Sequence, residues 1–212
     1  MTPVAMNGAG SGGGAAMKQQ QRWMVGGFVC VALGLLGPAT GGARAGDKDD
    51  QDEEGFVQFS KDHPLGEVAP DKALVYVVRP TSVGFAIKSW LLCDDQVLGV
   101  NKGSSYFFAH VDPGKHVFWS KSENVDALEL EVEAGKTYYL HQHVRLGGLK
   151  ARTKLEVLDE ADGQERLAKC AKHGVLTDTG RVRGLEIASE YQDRTAEDLA
   201  RRASEEQKKK DK

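Results

Sequence analysis

From Ala73 to Asp159 short apolar runs are separated by Gly, Pro, Asp and Ser breaks, the punctuation of consecutive β-strands. Ala73 to Val78 is rich in β-branched and aromatic residues and stops at Arg79-Pro80. Ile87 to Cys93 and Gln96 to Val100 flank Asp94-Asp95, a hairpin-like pair. Tyr106 to Val111 and Lys115 to Ser120 are joined by Asp112-Pro113-Gly114, where Pro presets one turn dihedral and Gly permits a positive φ at the next. Ala127 to Val132 sets Leu128, Leu130 and Val132 against Glu129, Glu131 and Glu133, the period-two signature of a half-exposed strand. Gly135-Lys136 turns it into Thr137 to Val144, and after Gly147-Gly148 the run Leu155 to Leu158 supplies the last strand. No helical period interrupts the series, so the pattern predicts an all-β fold, an antiparallel β-sandwich of about seven to eight strands.

Ala161 to Lys172 then predicts one helix after the last strand, with Leu167 and Cys170 at i, i+3 on one side. Beyond Val175 apolar content thins. Thr195 to Lys208 carries a helical pattern with Thr195 as N-cap, but only Leu199 and a few alanines offer a stripe. Residues 176–212 are therefore expected as a charged mobile tail, partly helical. Asp47 to Glu54 is an acidic run without an apolar residue, and Pro64 and Pro70 discourage regular pairing after it. Residues 46–70 are expected as an acidic linker, with disordered charged tails thus flanking a domain at 71–175.

The first 45 residues change the picture. Trp23 to Gly37 is uncharged and apolar, follows Lys18 and Arg22, and precedes Ala43-Arg44-Ala45, the small-residue form that a signal peptidase cuts. Residues 1–45 are expected to be a signal peptide, Met17 being the better start, with an uncleaved anchor as the alternative. After cleavage no stable membrane span is expected. Cys30 follows Phe28-Val29, where lipoproteins need small residues, which argues against a lipid anchor. The expected location is periplasmic or secreted. In that oxidising space Cys93 and Cys170 are a possible disulfide, the other reading being two small buried thiols.

Among 212 residues, 28 Lys and Arg stand against 31 Asp and Glu, and the first 45 hold three of the bases and no acid. The exported part is thus more acidic than the formal −3 of the whole chain, which argues against a nucleic-acid partner.

The runs ALVYVVRP (Ala73 to Pro80), GSSYFFAHVDPGKH (Gly103 to His116), EAGKTYYLHQHV (Glu133 to Val144) and ARTKLEVLDEADG, ending in Cys170, closely resemble a bacterial family, domain of unknown function 2846. The resemblance covers roughly residues 72 to 172. It implies an exported β-sandwich-like domain of the cell envelope, often lipidated in other members. It carries no catalytic or ligand residue over to this chain.

Several constellations invite chemistry. His141-Gln142-His143 places two imidazoles on one face of a strand, a spacing compatible with metal chelation; Leu140 and Val144 send both outward, and no third ligand is visible, His110 and His116 being the nearest suggestions. His116 shares parity with Phe118 and is expected inward, bonded to backbone. Asp94-Asp95, Asp159-Glu160 and Asp162 sit where turns favour Asp for local bonding. Gly135-Lys136-Thr137 lacks the upstream glycine of a phosphate loop, and Gly103-Ser104-Ser105 lacks the nucleophile elbow. If Phe107 and Val111 face the core, Tyr106, Phe108, Val117 and Trp119 share the outer face of a hairpin, a possible contact for an envelope protein or glycan. The sequence therefore predicts a non-enzymatic interaction or ligand-holding module without a cofactor. A metal-binding protein or metal-dependent enzyme using His141 and His143 is the rival reading.

Overall fold

A computed structural model describes residues 50–51, 55–146 and 151–211. The expected signal segment lies outside the described residues. The chain is mostly β, with eleven strands in two sheets and two helices among those residues. The strands are β1 (Asp50–Gln51), β2 (Val57–Ser60), β3 (Ala73–Arg79), β4 (Ser89–Cys93), β5 (Gln96–Asn101), β6 (Ser105–Val111), β7 (Gly114–Lys121), β8 (Val125–Val132), β9 (Thr137–Leu146), β10 (Ala151–Leu158) and β11 (Lys172–Leu176). Helix α1 (Glu160–Ala168) separates β10 from β11, and α2 (Asp178–Lys210) ends the chain. The large sheet runs β1-β2-β11-β6-β3-β9-β10 and the small one β5-β4-β7-β8.

Period two distributes the apolar residues over three layers. Val75, Val77, Phe107 and Leu140 of the large sheet meet Leu91, Phe118 and Leu128 of the small sheet in a core between them. The opposite parity of β3, Leu74, Tyr76 and Val78, packs with Tyr106 and Tyr139 on the outer face of the large sheet, with Leu167 and Cys170 after β10 against them. Trp90, Leu92 and Trp119 on the outer face of the small sheet are covered by α2 through Ile187, Tyr191 and Leu199, together with Val57 and Phe59 of β2. Every residue of β3 is buried, which is why it reads as a continuous apolar run.

Five expectations are corrected. The sheets are not wholly antiparallel: β3–β9 and β6–β11 pair parallel, because β3 and β11 are central strands reached by crossovers. The segment expected as an acidic linker contains β2, whose Val57 and Phe59 are buried and which pairs with β11. The expected mobile tail contains β11 and a 33-residue helix starting at N-cap Thr177, whose side chain accepts from Gly180 N. Thr195, expected as an N-cap, is a buried interior residue whose Oγ1 donates to Tyr191 O. The inner stripe of α2 consists of Gly180, Gly184, Ile187, Thr195 and Asp198, a helical period in small and polar residues. At Gly184 an added Cβ would lie 2.4 Å from Val97, so the helix sits closer to β5 than any larger residue permits. Lastly, Cys93 and Cys170 are free thiols buried in different layers, and burial pushes both up to about 12.

Two features close the fold at its open edge. Asp126 Oδ2 accepts the Leu155 N–H of edge strand β10 at 2.6 Å, and Asp198 Oδ2 accepts the Ala127 N–H of edge strand β8 at 2.9 Å. Arg202 ion-pairs with both carboxylates, neutralising charges that are otherwise costly to bury. Elsewhere the fully buried Arg79 donates to Ile87 O at 2.6 Å and Gly84 O at 2.7 Å, holding the loop after β3; burial brings its guanidinium down to about 10.

Candidate metal centre

The aromatic face expected between β6 and β7 is not formed. β6 pairs with β3 and β11 in the large sheet, whereas β7 pairs with β4 and β8 in the small one. The Asp112-Pro113-Gly114 turn is thus a corner between sheets, with Gly114 at φ 140°. Tyr106 is fully buried and donates to Pro64 O at 2.9 Å; Phe108 stacks on His173 at 5.3 Å. Val117 and Trp119 lie in the layer beneath α2, where the indole donates to Asp94 O at 2.8 Å. Parity assigned the outer faces, but each outer face carries its own cover.

The histidine pair fares differently. His141 and His143 do project from the face of β9 that looks away from the small sheet, as Gln142 between them bonds inward to Trp90 O and Ser120 Oγ. That outward face is not open, however, because α1 returns across it. Asp159 caps α1 by accepting from Asp162 N at 2.8 Å, and Gly163 lets the helix press on Tyr139, where a Cβ would come within 2.2 Å of the ring. His141 is left 4% exposed, while His143 stays half-buried.

Register supplies the third group. β10 runs antiparallel to β9 and sets Glu156 directly opposite His141. His143 Nε2 bonds Glu156 Oε2 at 2.6 Å; His141 Nδ1 lies 3.9 Å from the same oxygen. The two imidazole centroids are 3.6 Å apart, and one donor atom from each of the three residues falls within 4.8 Å of the others. One zinc-like ion holds its N and O donors roughly 3–4 Å from one another. The 3.9 Å between His141 Nδ1 and Glu156 Oε2 falls in that range, and the Glu156 side chain is half exposed.

Electrostatics prepare His141 as a ligand. Burial, then His143 and Arg166, bring His141 down to about 4, with Glu156 opposing, so the ring is neutral at physiological pH. The hydrogen bond from His143, with both histidines and Arg166 nearby, holds Glu156 below the usual carboxylate range. His141 Nδ1 is buried and makes no hydrogen bond among the described residues. A neutral imidazole nitrogen, buried and facing a carboxylate, is a lone pair or N–H without a protein partner.

The remaining candidates are tied into the fold. His110 bonds Glu67 O at 2.8 Å and stands outside the cluster. His116 bonds Asp112 O at 2.9 Å, as expected of a backbone-bonded histidine, and also Asp94 Oδ2 at 2.7 Å at the rim. Sequence reasoning missed Glu156 and Arg166. Drawing β9 and β10 as a hairpin about residues 147–150 would have found Glu156, since that register places it opposite His141.

The chain is therefore a mostly β, two-sheet domain with a two-histidine, one-carboxylate cluster on its outer sheet face. Residues 69–154 match the family described as "Protein of unknown function (DUF2846)", in agreement with the resemblance read from the sequence. Both histidines fall inside the matched segment and Glu156 just beyond it. The chain is also 29% identical over 97 residues to an "Uncharacterized protein" of Haemophilus influenzae. That match takes in 45% of this chain and spans 57% of the relative's length.

Proposed function

We propose that this protein is an exported β-sandwich domain of the bacterial envelope that holds a divalent transition-metal ion on His141, His143 and Glu156. The observation that carries the reading is the buried, unpartnered His141 Nδ1 beside a carboxylate already bonded to a second imidazole. An imidazole-rich N2O set suits zinc, copper, nickel or ferrous iron better than magnesium or calcium, which take oxygen ligands. Three protein ligands leave at least one coordination position for water or an exchanging ligand. Export is supported by the apolar run Trp23 to Gly37 with Ala43-Arg44-Ala45 after it. Among the described residues no helix is long and apolar enough to cross a membrane.

The test is calorimetric titration of untagged, metal-stripped protein with zinc chloride, alongside thermal unfolding. One ion per chain is expected, with a rise in the unfolding midpoint that grows with zinc concentration. His143→Ala and Glu156→Ala each weaken binding at least tenfold, whereas His116→Ala leaves it unchanged. Absence of stoichiometric binding, or binding indifferent to both substitutions at the cluster, overturns the reading.

A further inference from the structure

Beyond the histidines, the outer row of β9 and β10 continues as His143 opposite Lys154 and Arg145 opposite Arg152. Like charges placed directly across an antiparallel pair repel, and a sheet normally sets an acid at one of the two positions. Here neither arginine makes an ion pair among the described residues, and nor does Lys154. All three instead line a polar cleft of about 540 Å³ that opens between the β10 edge, the start of β8 and the far half of α2. Arg201 lines the opposite wall from α2.

The cleft's carboxylates do not answer these cations. Asp126 is engaged by the Leu155 N–H and Arg202, and Asp198 by the Ala127 N–H, Arg201 and Arg202. Glu123 is the remaining acid of the lining. The floor is rigid: Thr153 N donates to Asn124 Oδ1 at 2.7 Å and Asn124 Nδ2 donates to Thr153 O at 3.1 Å. A concave space lined by two exposed arginines from directly opposed positions of β9 and β10, neither of them ion-paired among the described residues, matches one ligand chemistry. Guanidinium forks bind phosphoryl oxygens in bidentate fashion, and a bound dianion turns the Arg145–Arg152 repulsion into attraction.

We propose that this cleft binds a phosphoryl oxoanion, held between Arg145 and Arg152 with Lys154 beside them. Its source is a soluble phosphate compound or the headgroup of an anionic envelope lipid, both presenting the same oxygens. The site is separate from the metal cluster, although Lys154 borders both.

Full-length chain, stripped of metal and dialysed free of chelator, is titrated with sodium pyrophosphate at low ionic strength. In parallel it is co-sedimented with phosphatidylglycerol and with phosphatidylcholine vesicles. Saturable pyrophosphate binding, weakened at least tenfold in Arg145→Gln/Arg152→Gln and retained in Glu156→Ala, supports a soluble ligand. Sedimentation with phosphatidylglycerol alone, lost in the double variant, supports the lipid headgroup. Without ligand the double variant unfolds at the same or a higher temperature, since a repulsion has been removed; a purely structural arginine pair would lower it. No binding of either probe at millimolar phosphate, or binding unchanged in the double variant, overturns the proposal.

Discussion

Among the described residues two places bring metal-binding residue types together, and they differ in what is left free. Cys93, Asp94 and His116 gather at the β4–β5 turn, while His141, His143 and Glu156 gather on β9 and β10. At the turn the carboxylate oxygens of Asp94 and both ring nitrogens of His116 have partners. Asp94 Oδ1 accepts from Val117 N at 2.9 Å, Asp94 Oδ2 bonds His116 Nδ1, and His116 Nε2 bonds Asp112 O. The Cys93 thiol packs into the core between the sheets, where burial suppresses its ionisation. On the strands, one imidazole nitrogen is buried without a hydrogen-bond partner among the described residues. Proximity of ligand types is thus common to both, and unspent bonding capacity belongs to one. The turn cluster stabilises a hairpin, whereas the strand cluster retains stability-limiting polarity of the kind found at binding sites.

The largest contrast is in pH dependence. Between pH 6.5 and about 4 the unfolded chain protonates the His141 ring and the folded chain does not, so metal-free protein loses stability on acidification through that window. The loss from this group is on the order of 3 kcal/mol and is complete below the folded value. His116 has the opposite sign: its hydrogen bond to Asp94 raises it, so its contribution is full below 6.5 and fades as pH rises through the folded value. Urea midpoints of wild type and His141→Leu at neutral pH and pH 4.5 separate the two. An acid loss equal in both proteins would break the comparison.

Next in size is the cost of removing each carboxylate. Asp94→Ala is expected to destabilise by about 2 kcal/mol, because a backbone N–H and an imidazole lose their acceptor. Asp94 also holds φ 53°, a conformation that alanine tolerates less well. Glu156→Ala removes a pair that is half exposed and should cost below about 1 kcal/mol. Chemical denaturation that ranks Glu156 above Asp94 would assign the structural role to the wrong cluster.

The smallest effect is the most diagnostic. His141→Leu in metal-free protein should raise stability by about 1 kcal/mol, since an unsatisfied buried nitrogen is replaced by a hydrocarbon of similar size. The same variant should lose its stabilisation by zinc. A structural histidine would show the reverse, destabilisation with no change in zinc response.

Much of the β framework is legible from alternation and turn residues: β3 to β10 fall where the apolar runs lie, and α1 follows β10. Alternation also places His141 and His143 away from the small sheet. The partner of each strand is not legible, because period two specifies a face and says nothing about the neighbour. Tyr106 and Trp119 share a parity with an apparent hairpin yet end in different sheets. Helix α2 hides for another reason, its buried stripe being made of Gly180, Gly184, Thr195 and Asp198 where an apolar stripe is the usual signal.

Local chemistry along the chain, namely turn dihedrals, strand alternation and the i, i+2 histidines, was determined by the sequence alone, since each involves residues near in the chain. The cover that α1 lays over His141, the bond from Asp126 to the β10 edge and the cleft that brings Arg145 and Arg152 beside α2 were decided only by tertiary structure. Those contacts join residues separated along the chain, and their energy depends on register and burial, quantities that exist only once the sheets have packed.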